Sequence, residues 1–281
     1  MKKFAAVMAF LMFLPAASAG FISSSLTLEV EEPPAVPVDG SVNVVANVTL
    51  SWGFGMFFPL PVTVEMSVEN VSDWLSVSIT PDNFVVTPSG FIGGEASKDV
   101  TITLRSRKET AAFVSEAITL RAKTSGNFLL RGAEASKQVY VMQGFADNGI
   151  TVEAPSALHL YTGEEKTLYF NVTNKCNSAV YLTIEPENVT GFTISSGSSI
   201  SIPSGERKTV SVKVKADEST EENAIFRFGY YPPGHEELKN YESVELSLES
   251  HARPGGGSLA MGIVVALVII LIIAGIWKRK R

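Results

Sequence analysis

The stretch Leu168-Tyr169-Phe170-Asn171-Val172-Thr173-Asn174-Lys175-Cys176-Asn177-Ser178-Ala179-Val180 decides how the chain folds. Leu168, Phe170 and Val172 alternate with Tyr169, Asn171 and Thr173, so an extended backbone gives one apolar and one polar face. Small polar residues follow, and apolar character resumes at Val180, which is the pattern of strand, turn, strand. The same period-two alternation runs through Val100, Ile102 and Leu104, through Val210, Val212 and Val214, and through Val244, Leu246 and Leu248. No stretch between residues 24 and 250 keeps a helical period of useful length. Short half-buried strands divided by Gly, Pro, Asn and Ser turns predict an all-β chain built as sandwiches.

Four landmarks occur twice in the same order. The first set is Asn47-Val48-Thr49, Glu69-Asn70-Val71-Ser72, Pro88-Ser89-Gly90 and the alternating run 98–104. The second is Asn171-Val172-Thr173, Glu187-Asn188-Val189-Thr190, Pro203-Ser204-Gly205 and the run 208–214. One tripeptide match means little, but an ordered set of four marks a duplication. The expected units are residues 20–148 and 149–252, meeting in the turn-rich stretch 144–149. Each is long enough for a sandwich core without disulfides.

The ends are of a different character. Lys2 and Lys3, the apolar run 4–14 and Ala17-Ser18-Ala19 have the form of a secretory signal peptide, removed before Gly20. Residues 259–277 carry no charge and are long enough to cross a bilayer as one helix; Lys278-Arg279-Lys280-Arg281 follow and mark the cytoplasmic side. Residues 253–258 form a short Gly-rich linker between the second unit and this span. The expected architecture is two tandem immunoglobulin-like β-sandwiches plus one C-terminal transmembrane helix, with the N-terminal domains outside a plasma membrane crossed once.

Of the 281 residues 45% are hydrophobic, too many for a disordered chain, and the single cysteine excludes an intramolecular disulfide. All 29 acidic residues lie between the two apolar ends, whereas six of the 23 basic ones lie outside, so residues 20–257 carry a formal charge of −12. Such a surface argues against nucleic acid as a partner.

The second unit resembles the NEW3/CARDB-like immunoglobulin-type repeats of archaeal and bacterial surface proteins. The resemblance rests on Gly163-Glu164-Glu165, the stretch 171–180 and Pro203-Ser204-Gly205-Glu206, and covers about residues 150–231. Cys176 stands where the turn of such repeats usually carries glycine; it reads as a turn thiol on the solvent side, open to pairing with another chain or to modification. The resemblance implies adhesive, spacing or accessory roles and transfers no catalytic residue.

Candidate contacts lie in loops and sequons. Asn47, Asn70, Asn171 and Asn188 each begin N-x-[ST], so a secreted chain offers four glycosylation acceptors. Alternation places Asn47 and Asn171 on outward faces. Where the second unit has a polar turn at 174–178, the first has Trp52-Gly53-Phe54-Gly55-Met56-Phe57-Phe58-Pro59-Leu60-Pro61. An apolar tip of this kind either folds back onto the sandwich or contacts a partner or lipid; Trp52, Phe54, Met56, Phe57 and Phe58 are the candidate contact residues. Tyr230, Tyr231 and His235 sit in a loop that could stack a sugar. The acidic run 217–222 lacks EF-hand spacing and reads as a solvated turn. No metalloprotease, nucleophile-elbow, P-loop or dinucleotide motif occurs, so no enzyme, cofactor or metal is expected. The sequence predicts a non-enzymatic surface module whose partner is another surface or membrane protein or an envelope glycan. An accessory subunit of a membrane complex and a carbohydrate-binding module are the alternatives.

Overall fold

The computed structural model describes residues 20–253. The leader expected at 1–19, the span at 259–277, the tail at 278–281 and all of the linker beyond Arg253 lie outside the described residues. Among the described residues no helix is long and apolar enough to cross a membrane.

The chain is all-β, and it divides between Ala146 and Asp147 into two units. The first holds β1 (Ser24–Val30), β2 (Ser41–Trp52), β3 (Val62–Glu69), β4 (Leu75–Thr80), β5 (Asn83–Val86), β6 (Gly94–Ser106), β7 (Glu116–Gly126) and β8 (Arg131–Val141). They form two four-stranded sheets, ordered β1-β2-β6-β4 and β5-β3-β7-β8. The alternation seen in the sequence becomes burial: Val44, Ala46, Val48 and Leu50 of β2 and Val100, Ile102 and Leu104 of β6 are buried. They meet Val64 of β3 and Ile118, Leu120 and Ala122 of β7 in one core.

The second unit holds β9 (Ile150–Glu153), β10 (Ala157–Tyr161), β11 (Glu165–Asn174), β12 (Val180–Glu187), β13 (Phe192–Ser196), β14 (Ile200–Ile202), β15 (Arg207–Ala216), β16 (Glu221–Tyr231) and β17 (Asn240–His251). Its sheets run β9-β11-β15-β13 and β10-β17-β16-β12-β14. Phe170 is the centre of its core, with ring centroids 5.2 Å from Phe226 and 5.1 Å from Phe228. Strand for strand the wiring repeats: the two sheets of β1–β8 have the order of β9 and β11–β17, an immunoglobulin-type arrangement with an added edge strand. The units differ at one edge. β10 runs parallel along β17 from Ala157 to Tyr161, whereas in the first unit the matching stretch makes one isolated parallel bridge, Val36 to Gln143.

The division falls two residues earlier than the expected one after Asn148. Asp147 belongs with the second unit because its carboxylate accepts hydrogen bonds from Tyr230 Oη (2.9 Å) and from the Asn240 amide.

Candidate functional site

Loop 52–61 does both things open to an apolar tip. Trp52 and Met56 turn inward and are buried, with the Trp52 indole N–H donating to the Ser89 carbonyl at 3.2 Å. Met56 makes an isolated bridge to Gly90, and Gly55 N donates to the Phe91 carbonyl at 2.9 Å, which ties the loop to segment 87–94. Gly55 has φ of +110°, a conformation glycine adopts without strain. Gly93 is equally constrained (φ +101°), because a Cβ there would stand 2.7 Å from the Trp52 carbonyl oxygen.

Phe54, Phe57 and Phe58 face outward. Phe91 stands between the first two, its ring centroid 4.1 Å from that of Phe54 and 4.6 Å from that of Phe57. The turn between β7 and β8 joins the same pole: Asn127 Nδ2 donates to the Leu60 carbonyl at 3.5 Å, and Ile22 N to the Leu129 carbonyl at 2.8 Å. That brings Phe128 and Phe21 to this end. Phe21, Phe54, Phe57, Phe58, Phe91, Ile92 and Phe128 are between 45% and 92% exposed. At ~200 Å² per aromatic side chain these fractions sum to roughly 900 Å² of apolar surface exposed at this end of the unit. Sequence reasoning singled out only the 52–61 members. Phe21, the pair Phe91 and Ile92, and Phe128 lie in three segments far apart in the chain, and their one local signal was a large apolar residue within a glycine- or asparagine-containing turn.

The matching pole of the second unit is polar and closed. Asn174 is fully buried; its Nδ2 donates to the carbonyls of Ser178 (2.8 Å) and Ile202 (2.9 Å), and its Oδ1 accepts from Cys176 N (2.9 Å). Cys176, expected on the solvent side of the turn, is instead 1% exposed, with Sγ 3.5 Å from the Gly149 carbonyl and 3.7 Å from Asp147 Oδ1. Burial first, and the Asp147 carboxylate second, push its thiol up to about 11. This corrects the picture of a turn thiol open to pairing or modification.

Tyr230 also needs correction as a sugar platform. It is the last inward residue of β16, following Ala224, Phe226 and Phe228 in strict alternation, and it is 4% exposed. Burial and its hydrogen bond to Asp147 hold its phenol well above the ordinary value. Tyr231 points to the other face, where its ring lies 5.9 Å from that of Tyr181. His235 pairs with Glu237 at 2.9 Å. Tyr230 and Tyr231 therefore do not form one surface on which a sugar could stack.

The sequons fall into two structural pairs. Asn47 and Asn171 lie on the outward faces of β2 and β11, each bonded to the residue directly opposite: Asn47 Nδ2 to Asp99 Oδ1 (2.8 Å), Asn171 Oδ1 from Thr209 Oγ1 (2.7 Å). Asn70 and Asn188 are exposed and left-handed, with φ of +60° and +57°, which asparagine tolerates better than most residues. The third residue of each motif has a task of its own. Ser72 Oγ donates to Glu116 Oε2, and Thr190 Oγ1 to Glu222 Oε1 at 2.6 Å. Glu222 also accepts from the amides of Thr190 and Gly191, and these bonds hold it below the usual carboxylate range. Turn geometry alone thus accounts for an Asn-x-Ser/Thr motif at both places.

Among the described residues no three His, Cys, Asp or Glu side chains converge to hold a metal ion. Asp217 in the acidic run accepts from Thr193 Oγ1 at 2.6 Å, on a different partner from Glu222.

No protein-family model matches the chain, and no curated protein does. Among solved structures it is similar to the ASH/PapD-like domain 7 of human CEP192 (13% identity, TM-score 0.31, 37% of this chain and 85% of that one). It is also similar to Salmonella alpha-2-macroglobulin (14%, 0.28, 81% of this chain and 16% of that one). A third is the Pseudomonas aeruginosa CupB2 chaperone (11%, 0.22, 78% and 100%). At these scores none bears on activity or partner, and the fold rests on the strand order given above.

Proposed function

We propose that the chain is a non-enzymatic surface protein anchored by one span. In this reading the leader 1–19 is removed, residues 259–277 cross the plasma membrane, and both sandwiches stand outside as an interaction module of the envelope. The observation that carries the reading is the aromatic pole of the first sandwich: seven large apolar side chains, brought from four separate segments, turned to solvent. The acidic body around it supports solubility in the outer medium. The turn signatures of the second unit, similar to those of surface repeats, support the same placement.

Protease added to intact cells is expected to digest both sandwiches and to spare a tag placed after Arg281. Sandwiches protected from external protease would overturn the placement. In gentle-detergent extracts, whatever the wild-type chain retains is expected to fall away in the Phe57→Ser, Phe58→Ser double variant; retention unchanged by the variant would remove the pole from its role. The same pole supports a second reading as an accessory subunit, which a stoichiometric membrane protein lost in that variant would favour.

A further inference from the structure

We propose that the aromatic pole of the first sandwich enters the acyl region of a lipid bilayer. The inference rests on the reading of this pole as the contact surface of the chain and names what it contacts.

Three features favour lipid over a protein partner. The four segments that build the pole, residues 20–23, 53–61, 87–94 and 126–130, contain no Asp, Glu, Lys or Arg, although residues 20–257 carry 29 acidic and 17 basic side chains. A protein interface is ordinarily rimmed by polar groups that hydrogen-bond across it, and its anchors are enriched in Trp, Tyr and Arg. Here the outward groups are phenylalanines and one isoleucine, and the pole's tryptophan is turned inward with its N–H on the Ser89 carbonyl.

Secondly, polar groups of the pole bond within it. Asn127 Oδ1 accepts from the amides of Leu129 (2.9 Å) and Leu130 (2.8 Å) while its Nδ2 reaches Leu60. Gly53 N donates to Ser23, Phe57 N to Gly55, Leu60 N to Phe58 and Gly93 N to Gly90. Each such bond removes a polar group that would otherwise be costly to bring into hydrocarbon. Thirdly, those bonds and the buried Trp52 and Met56 hold the phenylalanines outward in advance, so little ordering remains to be done on insertion.

The test uses the full-length chain reconstituted into phosphatidylcholine vesicles that contain a doxyl-labelled lipid. The fluorophore NBD is attached at Phe58→Cys or, for comparison, at Tyr140→Cys, an exposed position near the far end of β8. Cys176 is buried and stays unlabelled in the folded chain. Quenching at position 58 is expected to be at least about threefold that at position 140, and to fall to the level of position 140 when Phe54→Ser and Phe57→Ser are added. Equal quenching at the two positions overturns the inference. So does absent quenching at position 58 combined with disulfide-linked dimers of the unlabelled Phe58→Cys variant, which assigns the pole to a second copy. If position 58 is unquenched yet the wild-type chain leaves native membranes with a stoichiometric protein that the Phe57→Ser, Phe58→Ser variant loses, the lipid inference fails and the interaction-module reading stands. If neither happens, both fail.

Discussion

At the pole of the first sandwich, β2 continues past Leu50 through Ser51 and Trp52 into a phenylalanine-rich loop. At the matching pole of the second, Asn174 occupies the place of Leu50 and turns the chain at once. Both residues stand three positions after a sequon asparagine, and both face the first strand of their unit, Leu50 opposite Leu26 and Asn174 opposite Ile150. One backbone plan therefore ends in two chemically opposite ways. A buried amide that bonds three backbone groups allows a short polar turn, whereas an apolar residue there leaves the loop to be fixed by packing, and packing needs large side chains. The lesson is that at corresponding ends of corresponding strands, a polar pin goes with a closed polar turn and an apolar one with an exposed aromatic loop.

The largest effect should come from removing the packing that holds the first pole. Trp52→Ala is expected to destabilise the first sandwich by ~3–5 kcal/mol, as for other large buried aromatics; hydrogen exchange in β2 and β6 would report it, with the second unit unaffected. Asn174→Leu, which copies the first pole into the second, strands the Ser178 and Ile202 carbonyls and the Cys176 amide. It should destabilise the second sandwich by about 3 kcal/mol, from 1–3 for each buried group left unpaired, and a loss under about 1 would break the comparison.

The poles should also differ in alkali. The folded Cys176 thiol keeps its proton up to about 11, while the unfolded chain ionises near its ordinary value of 9.0. Its contribution to stability is complete below that value and is lost as the pH rises toward 11. Urea midpoints of the second unit should fall over this window, less so in Cys176→Ala, with no such step assigned to the first. In acid the sign reverses. Glu222 is held low by Thr190, so its contribution is present above the ordinary carboxylate value and is lost as the pH falls through the lowered one. Thr190→Val should shrink that acid step, the Thr190 and Gly191 amide bonds remaining, and cost about 1 kcal/mol at neutral pH. Smallest of all, Phe57→Ser and Phe58→Ser should each change stability by no more than ~0.5 kcal/mol, because both side chains are already in water.

Much of the fold was legible because a two-residue period translates directly into faces. Val44, Ala46, Val48 and Leu50 were bound to lie together, and Asn47 opposite them, once the strand was recognised. The inward position of Tyr230 was legible by the same rule, from Ala224, Phe226 and Phe228, and was missed because the Pro-Pro-Gly that follows suggested a loop already begun. The pole was legible only in part. Within 52–61 no period separates Met56, which goes in, from Phe57, which stays out; that choice is made by Gly90 and Phe91, more than thirty residues away. Cys176 was hidden for a related reason: its cover comes from residues 147–149, across the whole length of β9 to β11.

The unequal first strands of the two units carry a consequence for how the chain reaches its native state. Neighbouring copies of one design on one polypeptide can trap each other during folding by exchanging equivalent strands. β1 pairs with β2 over seven residues, whereas β9 pairs with β11 over only four before the chain moves across to lie along β17 as β10. A hybrid that lent β9 to the first sandwich would leave three of the seven β2 positions that β1 pairs without a partner, and one that lent β1 to the second would leave the outer edge of β17 uncovered. The divergence of the copies thus acts as an address, telling each opening strand which half of the molecule is its own.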